Sequence, residues 1–226
     1  MKPITVLLAD DHTVVLEGLR ALLAAQGDIA VVGEAQTGRQ AVQLAGDLLP
    51  DVIVIDIAMP LLNGLEATRQ ILTAHPDAKV LILSAHGDDA YVEQALEFGA
   101  AGYVTKQTSA LVLSKAIREV HKGNKFFSPS ISRRLRERRQ QAPQGASGHR
   151  RKNSAVLTSR EVEVLQLIAE GKANKQTAAE LGISIKTVEK HRQRVMSKMG
   201  IHDTAGLTRY AIAAGIIESG PLVTLG

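Results

Sequence analysis

Five short apolar runs dominate the first half of the chain: Thr5–Ala9, Ala30–Glu34, Val52–Asp56, Lys79–Ser84 and Gly102–Thr105. They are rich in Val, Ile and Leu and almost continuous in apolarity, which is how strands buried on both faces of a parallel sheet read. Amphipathic stretches at about 13–22, 38–47, 64–74, 88–98 and 109–122 alternate with them, and Gly99 and Gly123 stand where helices should stop. Repeated β-α units of this kind confine the segment to a doubly wound α/β domain with a parallel sheet. In such a domain the chemistry is expected at the carboxyl ends of the strands.

Three acids fall at those ends. Asp10 and Asp11 close the first run and Asp56 closes the third; Ser84 ends the fourth and Lys106 follows the fifth. Singly, each has an ordinary explanation, since a strand-end Asp often caps a turn and a lone Lys is usually solvated. Jointly they lie on one edge of one sheet. Clustered carboxylates repel one another and bind hard divalent cations, so Mg²⁺ is the natural neutraliser. The set can also accept a phosphoryl group on Asp56, with Lys106 and Mg²⁺ offsetting its charge and the Ser84 hydroxyl bonding one of its oxygens.

Charge divides the chain. The net charge of +4 is the sum of −5 over residues 1–127 and +9 over residues 128–226, so an acidic module is joined to one suited to polyanions. Between them Arg133, Arg134, Arg136, Arg138, Arg139, Arg150, Arg151 and Lys152 face a single acid, Glu137, and Pro143, Gly145, Ser147 and Gly148 interrupt any pattern. A helical extension over Ile131–Gln141 and a flexible linker over 142–153 follow. The arginines fit both a solvated tether and an auxiliary phosphate contact. With no cysteine among 226 residues, disulfides, thiolate zinc sites and cysteine nucleophiles are excluded. The longest apolar runs, such as Val52–Ile55, are too short to span a membrane, and the N-terminus does not read as a signal peptide, so a cytoplasmic protein is expected.

From Leu157 the pattern is helical. Thr158 followed by Glu161 is a capping-box signature, with Val162, Leu165, Leu167 and Ile168 on the apolar side. A short helix at about 175–181, a turn at Gly182, a longer helix at about 185–199 capped by Ser184 and a last helix at about 204–217 complete the segment. On the long helix Val188, Val195 and Met199 form an inward stripe, while Lys186, Glu189, Lys190, Gln193 and Ser197 face the other way, flanked by Arg192, Arg194 and Lys198. The outer face suits base edges and phosphates, but an ordinary solvated face would look similar.

The residues now carry a resemblance. Asp10-Asp11, the stretch from Asp56 through Ala58, Met59 and Pro60 to Gly64, Ser84-Ala85-His86 and Gly102-Tyr103-Val104-Thr105-Lys106 resemble the receiver domain of bacterial response regulators over about residues 3–125. Leu157–Leu165, Asn174-Lys175 and Ser184–His191 resemble the LuxR-type helix-turn-helix over about 155–217. The whole chain is therefore similar to response regulators of the NarL/FixJ type. The implied fold is a flavodoxin-like, doubly wound, five-stranded parallel sheet (3–125), a basic linker (126–153) and a four-helix domain (154–220).

The resemblance also implies roles. Asp56 is the phospho-acceptor. Asp11, Asp56 and the Ala58 carbonyl hold Mg²⁺, with Asp10 acting through water. Lys106 contacts the phosphoryl group. Ser84 and Tyr103 form a switch pair in which the hydroxyl moves toward the phosphoryl group and the ring turns into the vacated space. Gly64 supplies a tight turn, and Ala58 and His86 tune phosphoryl lifetime. On the DNA side the long helix enters the major groove, with Glu189, Lys190 and Gln193 at base-facing positions. Lys175, Lys186, Thr187, His191 and Arg194 lie nearer the backbone, the last helix serves dimerisation, and Glu161 buttresses the helices. Expected partners are a sensor histidine kinase, double-stranded promoter DNA, a second copy of the chain when phosphorylated, and RNA polymerase, with no membrane. Departures from the family pattern are Ser at 84 for the commoner Thr, Gln107 where proline is frequent, Ala173 before Asn174, so that the cap there falls to Asn174, and Gln176-Thr177, which softens the core. An aspartyl-phosphate hydrolase would need a second acid two residues after the nucleophile, where this chain has Ala58. A receiver whose output domain binds protein rather than DNA, or binds DNA without phosphorylation, remains the third alternative.

Overall fold

A computed structural model describes residues 2–85, 89–129, 131–133 and 157–217. His86 and most of the expected basic linker lie outside the described residues. The chain divides into two compact units.

The first unit is a parallel sheet of order β2-β1-β3-β4-β5-β6. Its strands are β1 (Ile4–Ala9), β2 (Ile29–Ala35), β3 (Val52–Ile55), β4 (Val80–Ser84), β5 (Gly102–Thr105) and β6 (Phe126–Phe127). Between them run α1 (Thr13–Ala24), α2 (Gly38–Leu48), α3 (Gly64–Ala74), α4 (Asp89–Glu97) and α5 (Ala110–His121). Alternate strand residues face α1 and α5: Val6, Leu8, Val52, Val54, Leu81 and Leu83 join Leu16, Leu23, Leu113, Ile117 and Val120 in one buried cluster. Leu7, Ile53, Ile55 and Ile82 are buried too. Burial on both faces explains why the strands read as unbroken apolar runs, and each such side chain contributes about 1.5–3 kcal/mol.

The doubly wound sheet is as expected, but it has six strands rather than five. Phe126 and Phe127, placed in the linker by the sequence reading, pair in parallel with Gly102 and Tyr103. Two residues are too few to carry a periodicity. The trace is left instead at Gly102, where a Cβ would lie 2.4 Å from the Phe126 carbonyl oxygen.

The second unit contains α6 (Ser159–Ala169), α7 (Asn174–Leu181), α8 (Ile185–Met199) and α9 (Thr204–Ala213). Thr158 and Glu161 form the expected capping box, each side chain bonding the other's backbone N–H. Ser184 caps α8 by accepting from the Thr187 N–H at 3.1 Å, and Gly182, at φ +61°, turns the chain between α7 and α8. Val164, Leu165, Leu167, Ile168, Val188, Val195, Leu207 and Ala211 meet in one core.

The start of α7 differs from expectation. Asn174 is the first helical residue rather than the cap, and the Gln176 side chain reaches back to the Ala173 N–H at 2.8 Å. The next residue, Thr177, is fully buried and its hydroxyl finds no hydrogen-bond partner among the described residues. A buried polar group without a partner costs about 1–3 kcal/mol. Thr177→Val keeps the shape and removes the hydroxyl, so it should stabilise the helical unit by about 1 kcal/mol. Slower amide hydrogen exchange across the α6–α9 core of the full chain would show this; unchanged or faster exchange would show that the hydroxyl is not a burden.

Candidate functional site

The reversal of strand order at β1 places β2 and β3 on either side of it, so a crevice opens at the carboxyl ends of β1 and β3. Asp10 follows β1 and Asp56 follows β3; both are buried, at 1% and 4% exposure. Their backbones are anchored, the Asp10 N–H on the Ala35 carbonyl at 3.0 Å and the Asp56 N–H on the Ala9 carbonyl at 2.8 Å. Lys106, just beyond β5, donates its N–H to the Ser84 carbonyl at 2.8 Å. Its Nζ then bridges the two acids, 2.7 Å from Asp10 Oδ2 and 2.9 Å from Asp56 Oδ2.

Burial pushes the Asp56 carboxyl up, the Lys106 ammonium pulls it down and the Asp10 carboxylate raises it again, leaving it at about 6. Burial opposes the charge on Lys106, yet Asp56 and Asp10 outweigh it and its pKa is raised. The pair is therefore a charged lysine beside a carboxyl whose ionisation depends on its neighbours. Any divalent cation added to the crevice would favour the ionised form.

The remaining crevice residues are placed as follows. Asp11 is one-third exposed at the mouth. Ala58 lies in the β3–α3 loop, and no backbone N–H among the described residues donates to its carbonyl. Ser84 is buried at the end of β4, beside β5. Tyr103 on β5 is buried, at 1% exposure, and lies opposite Ile82 of β4. Gly64 is required by a close approach rather than by a turn at positive φ: a Cβ there would lie 1.8 Å from the Asp56 carbonyl oxygen. Asn63 caps α3 by accepting from the Glu66 N–H at 2.9 Å, which fixes the far end of the loop.

The sequence reading did not use His12. Its Nδ1 lies 2.8 Å from Asp11 Oδ1 and 3.2 Å from Asp10 Oδ1. Asp11 chiefly, with Asp10, raises its pKa. The signal was its position directly after two acids, which places a ring at the same strand end.

On α8, Lys186, Glu189, Lys190, Gln193, Arg194 and Ser197 are exposed, as is Lys175 on α7, while Thr187 and His191 are half-buried. Burial lowers the His191 pKa, and Arg194 and Arg160 add to that. Two of the expected flanking cations make contacts within the fold. The Lys198 ammonium bonds Glu161 Oε2 at 2.6 Å, which gives Glu161 its buttressing contact. Burial works against the Glu161 charge, but Lys198 and the Thr158 N–H hold its carboxyl below the usual range. Arg192 donates to Thr204 Oγ1 at 2.7 Å and to Asn174 Oδ1 at 3.4 Å, linking α8 to α9 and α7. No described helix is long and apolar enough to cross a membrane.

The two units define a class: a carboxylate-lined α/β module joined in one chain to a helix-turn-helix module. The response regulator receiver domain family matches residues 6–118, and the bacterial regulatory proteins of the luxR family match residues 155–211. The chain is 40% identical to the transcriptional regulatory protein LiaR of Bacillus subtilis over 208 residues, 92% of this chain and 96% of LiaR. Among solved structures it is similar to the Salmonella typhimurium response regulator RcsB, with 28% identity, a TM-score of 0.62 and coverage of 95% of this chain and 99% of that one. It is also similar to RcsB in complex with DNA, with 29% identity, a TM-score of 0.56 and coverage of 92% and 98%. The chain belongs to the two-component response regulators that carry a LuxR-type helix-turn-helix, the NarL/FixJ-like family.

Proposed function

We propose that a sensor histidine kinase phosphorylates Asp56 and that the modification gates dimerisation and binding to promoter DNA. The observation that carries this reading is the Lys106 bridge between the buried Asp56 and Asp10. It leaves a carboxylate oxygen beside a fixed positive charge that can offset a transferred phosphoryl group. In the transfer an Asp56 oxygen attacks phosphorus, the bond from phosphorus to the kinase imidazole breaks, and the imidazole leaves. Lys106 neutralises one oxygen of the product, and Ser84, across the β4–β5 pair from Thr105, donates to another.

The donor set fits Mg²⁺. Asp10, Asp11, Asp56 and the Ala58 carbonyl offer hard oxygen ligands, and among the described residues the buried Asp10 Oδ2 meets only the Lys106 ammonium, at 2.7 Å. Mg²⁺ bound there supplies charge neutralisation at the phosphoryl oxygens.

The receiver role falls to residues 3–125, with β6 closing its sheet, and the DNA-binding role to 154–220. The exposed Glu189, Lys190 and Gln193 are assigned to base edges; Lys175, Lys186, Thr187, His191 and Arg194 are assigned to the backbone. The RcsB complex with DNA supports a DNA partner. The helix α9 supplies the dimer contact, and RNA polymerase in the cytoplasm is the machinery acted on.

The test is binding of the full chain to genomic fragments in Mg²⁺, with and without a beryllofluoride phosphoryl mimic, at one salt concentration because affinity depends on salt. Enrichment of particular fragments only with the mimic is expected; equal enrichment in both states would overturn gating. In the same assay Lys190→Ala should weaken the selected site by about 1–3 kcal/mol, with discrimination lost at one base position. An unchanged preference would remove Lys190 from the base-contacting set.

A further inference from the structure

The face of α8 assigned to DNA carries one charge of the wrong sign for a phosphate surface. Glu189 is the one acid on α8, whereas Lys186, Lys190, Arg192, Arg194 and Lys198 are cations. It is exposed and follows the fully buried Val188. Lys186, three residues before it, and Gln193, four after, share its face and are exposed too.

On a helix the natural partner of a carboxylate is a cation three or four residues away. Arg192 stands three residues on, but its guanidinium is turned to Thr204 Oγ1 at 2.7 Å and Asn174 Oδ1 at 3.4 Å. Glu189 makes no ion pair or hydrogen bond among the described residues. The fold therefore draws away the cation that would neutralise Glu189 and leaves the carboxylate open on the outer face.

An ionised carboxylate only accepts hydrogen bonds. Phosphates repel it, so on this face it needs a donor inside the groove. The major groove offers two, the amino groups of cytosine N4 and adenine N6. Adenine sets its N7 acceptor beside that amino group, and guanine and thymine present acceptors alone. Cytosine presents a donor with no acceptor on the same edge.

We propose that Glu189 selects cytosine at one position of each half-site by accepting a hydrogen bond from the N4 amino group. This rests on the reading of α8 as the helix that enters the major groove. The carboxylate costs general affinity for phosphates and gains discrimination among bases.

A solvated acid would be equally exposed, so the experiment must read the base. The full chain, in Mg²⁺ and beryllofluoride at one salt concentration, is mixed with duplexes randomised over the binding site, and bound duplexes are sequenced. Wild type is expected to enrich cytosine at one position of each half-site. Glu189→Gln keeps the size and adds an amide that pairs with adenine N6 and N7, so the preference there should move from cytosine to adenine by about fivefold or more. Glu189→Ala should leave that position unselected and the rest of the motif in place. A wild-type motif unchanged in both variants would overturn the assignment and leave the DNA reading standing, as would a changed position at which wild type prefers another base. Collapse of the motif at every position in both variants would make Glu189 a structural residue and overturn the assignment too. A wild-type chain that enriches no sequence would overturn the DNA reading, and this proposal with it.

Discussion

Gly64→Ala is expected to destabilise the α/β unit by about 3 kcal/mol, the upper end of what an added carbon costs in a packed region, and to remove phosphorylation. A Cβ at 64 would sit 1.8 Å from the Asp56 carbonyl oxygen and 2.8 Å from its carbonyl carbon. Neither side can yield cheaply. The Asp56 N–H is held by the Ala9 carbonyl at 2.8 Å, the Gly64 N–H by the Ile57 carbonyl at 2.8 Å, and the Gly64 carbonyl by the Thr68 hydroxyl at 2.6 Å. Relief must come from moving the loop that carries Asp56 and Ala58, so stability and acceptor geometry fall together. Urea unfolding of the full chain, with beryllofluoride binding measured alongside, tests this. Wild-type values for both would show that the loop relaxes freely.

The second large effect is at Asp56 itself. Asp56→Asn should reduce acid-labile phosphate to background when the chain is incubated with a phosphorylated histidine kinase. The amide oxygen is a poor nucleophile and the variant cannot form the acyl phosphate. The variant should stay folded. It loses one ion pair to Lys106, but it also loses the Asp10–Asp56 repulsion and the burial of one charge, and Asp10 still holds Lys106 at 2.7 Å. Circular dichroism of the variant would confirm that. Phosphate incorporation at wild-type stoichiometry would move the acceptor to another residue.

The crevice was legible because parallel strands bring their ends together. The Asp10-Asp11 pair, Asp56, Ser84 and Lys106 are far apart in sequence, yet each sits at the end of an apolar run. The capping box at Thr158 and the outward face of α8 were legible for a similar reason, since both rest on spacings of three and four residues. Features that depend on distant partners were not. Lys198 looked like a phosphate contact until Glu161, 37 residues earlier, was found against it. Arg192 has the same exposed-cation signature, and its partner Thr204 lies beyond α8. Strand β6 was invisible at two residues long. The reason for Gly64 could be found only once the Asp56 carbonyl had a position in space.

The two ends of the Lys198–Glu161 bond have a bearing on how such a protein can change. The bond and the Arg192 contacts hold α8 through its inner and lateral sides, together with buried Val188 and Val195. Glu189, Lys190 and Gln193 lie on the opposite, exposed side. Foldability and address are therefore written on different residues of one helix. With the proposed base contacts on those outward positions, a lineage could rewrite them, and so the set of genes it answers to, while every contact that keeps the helix in place is inherited intact.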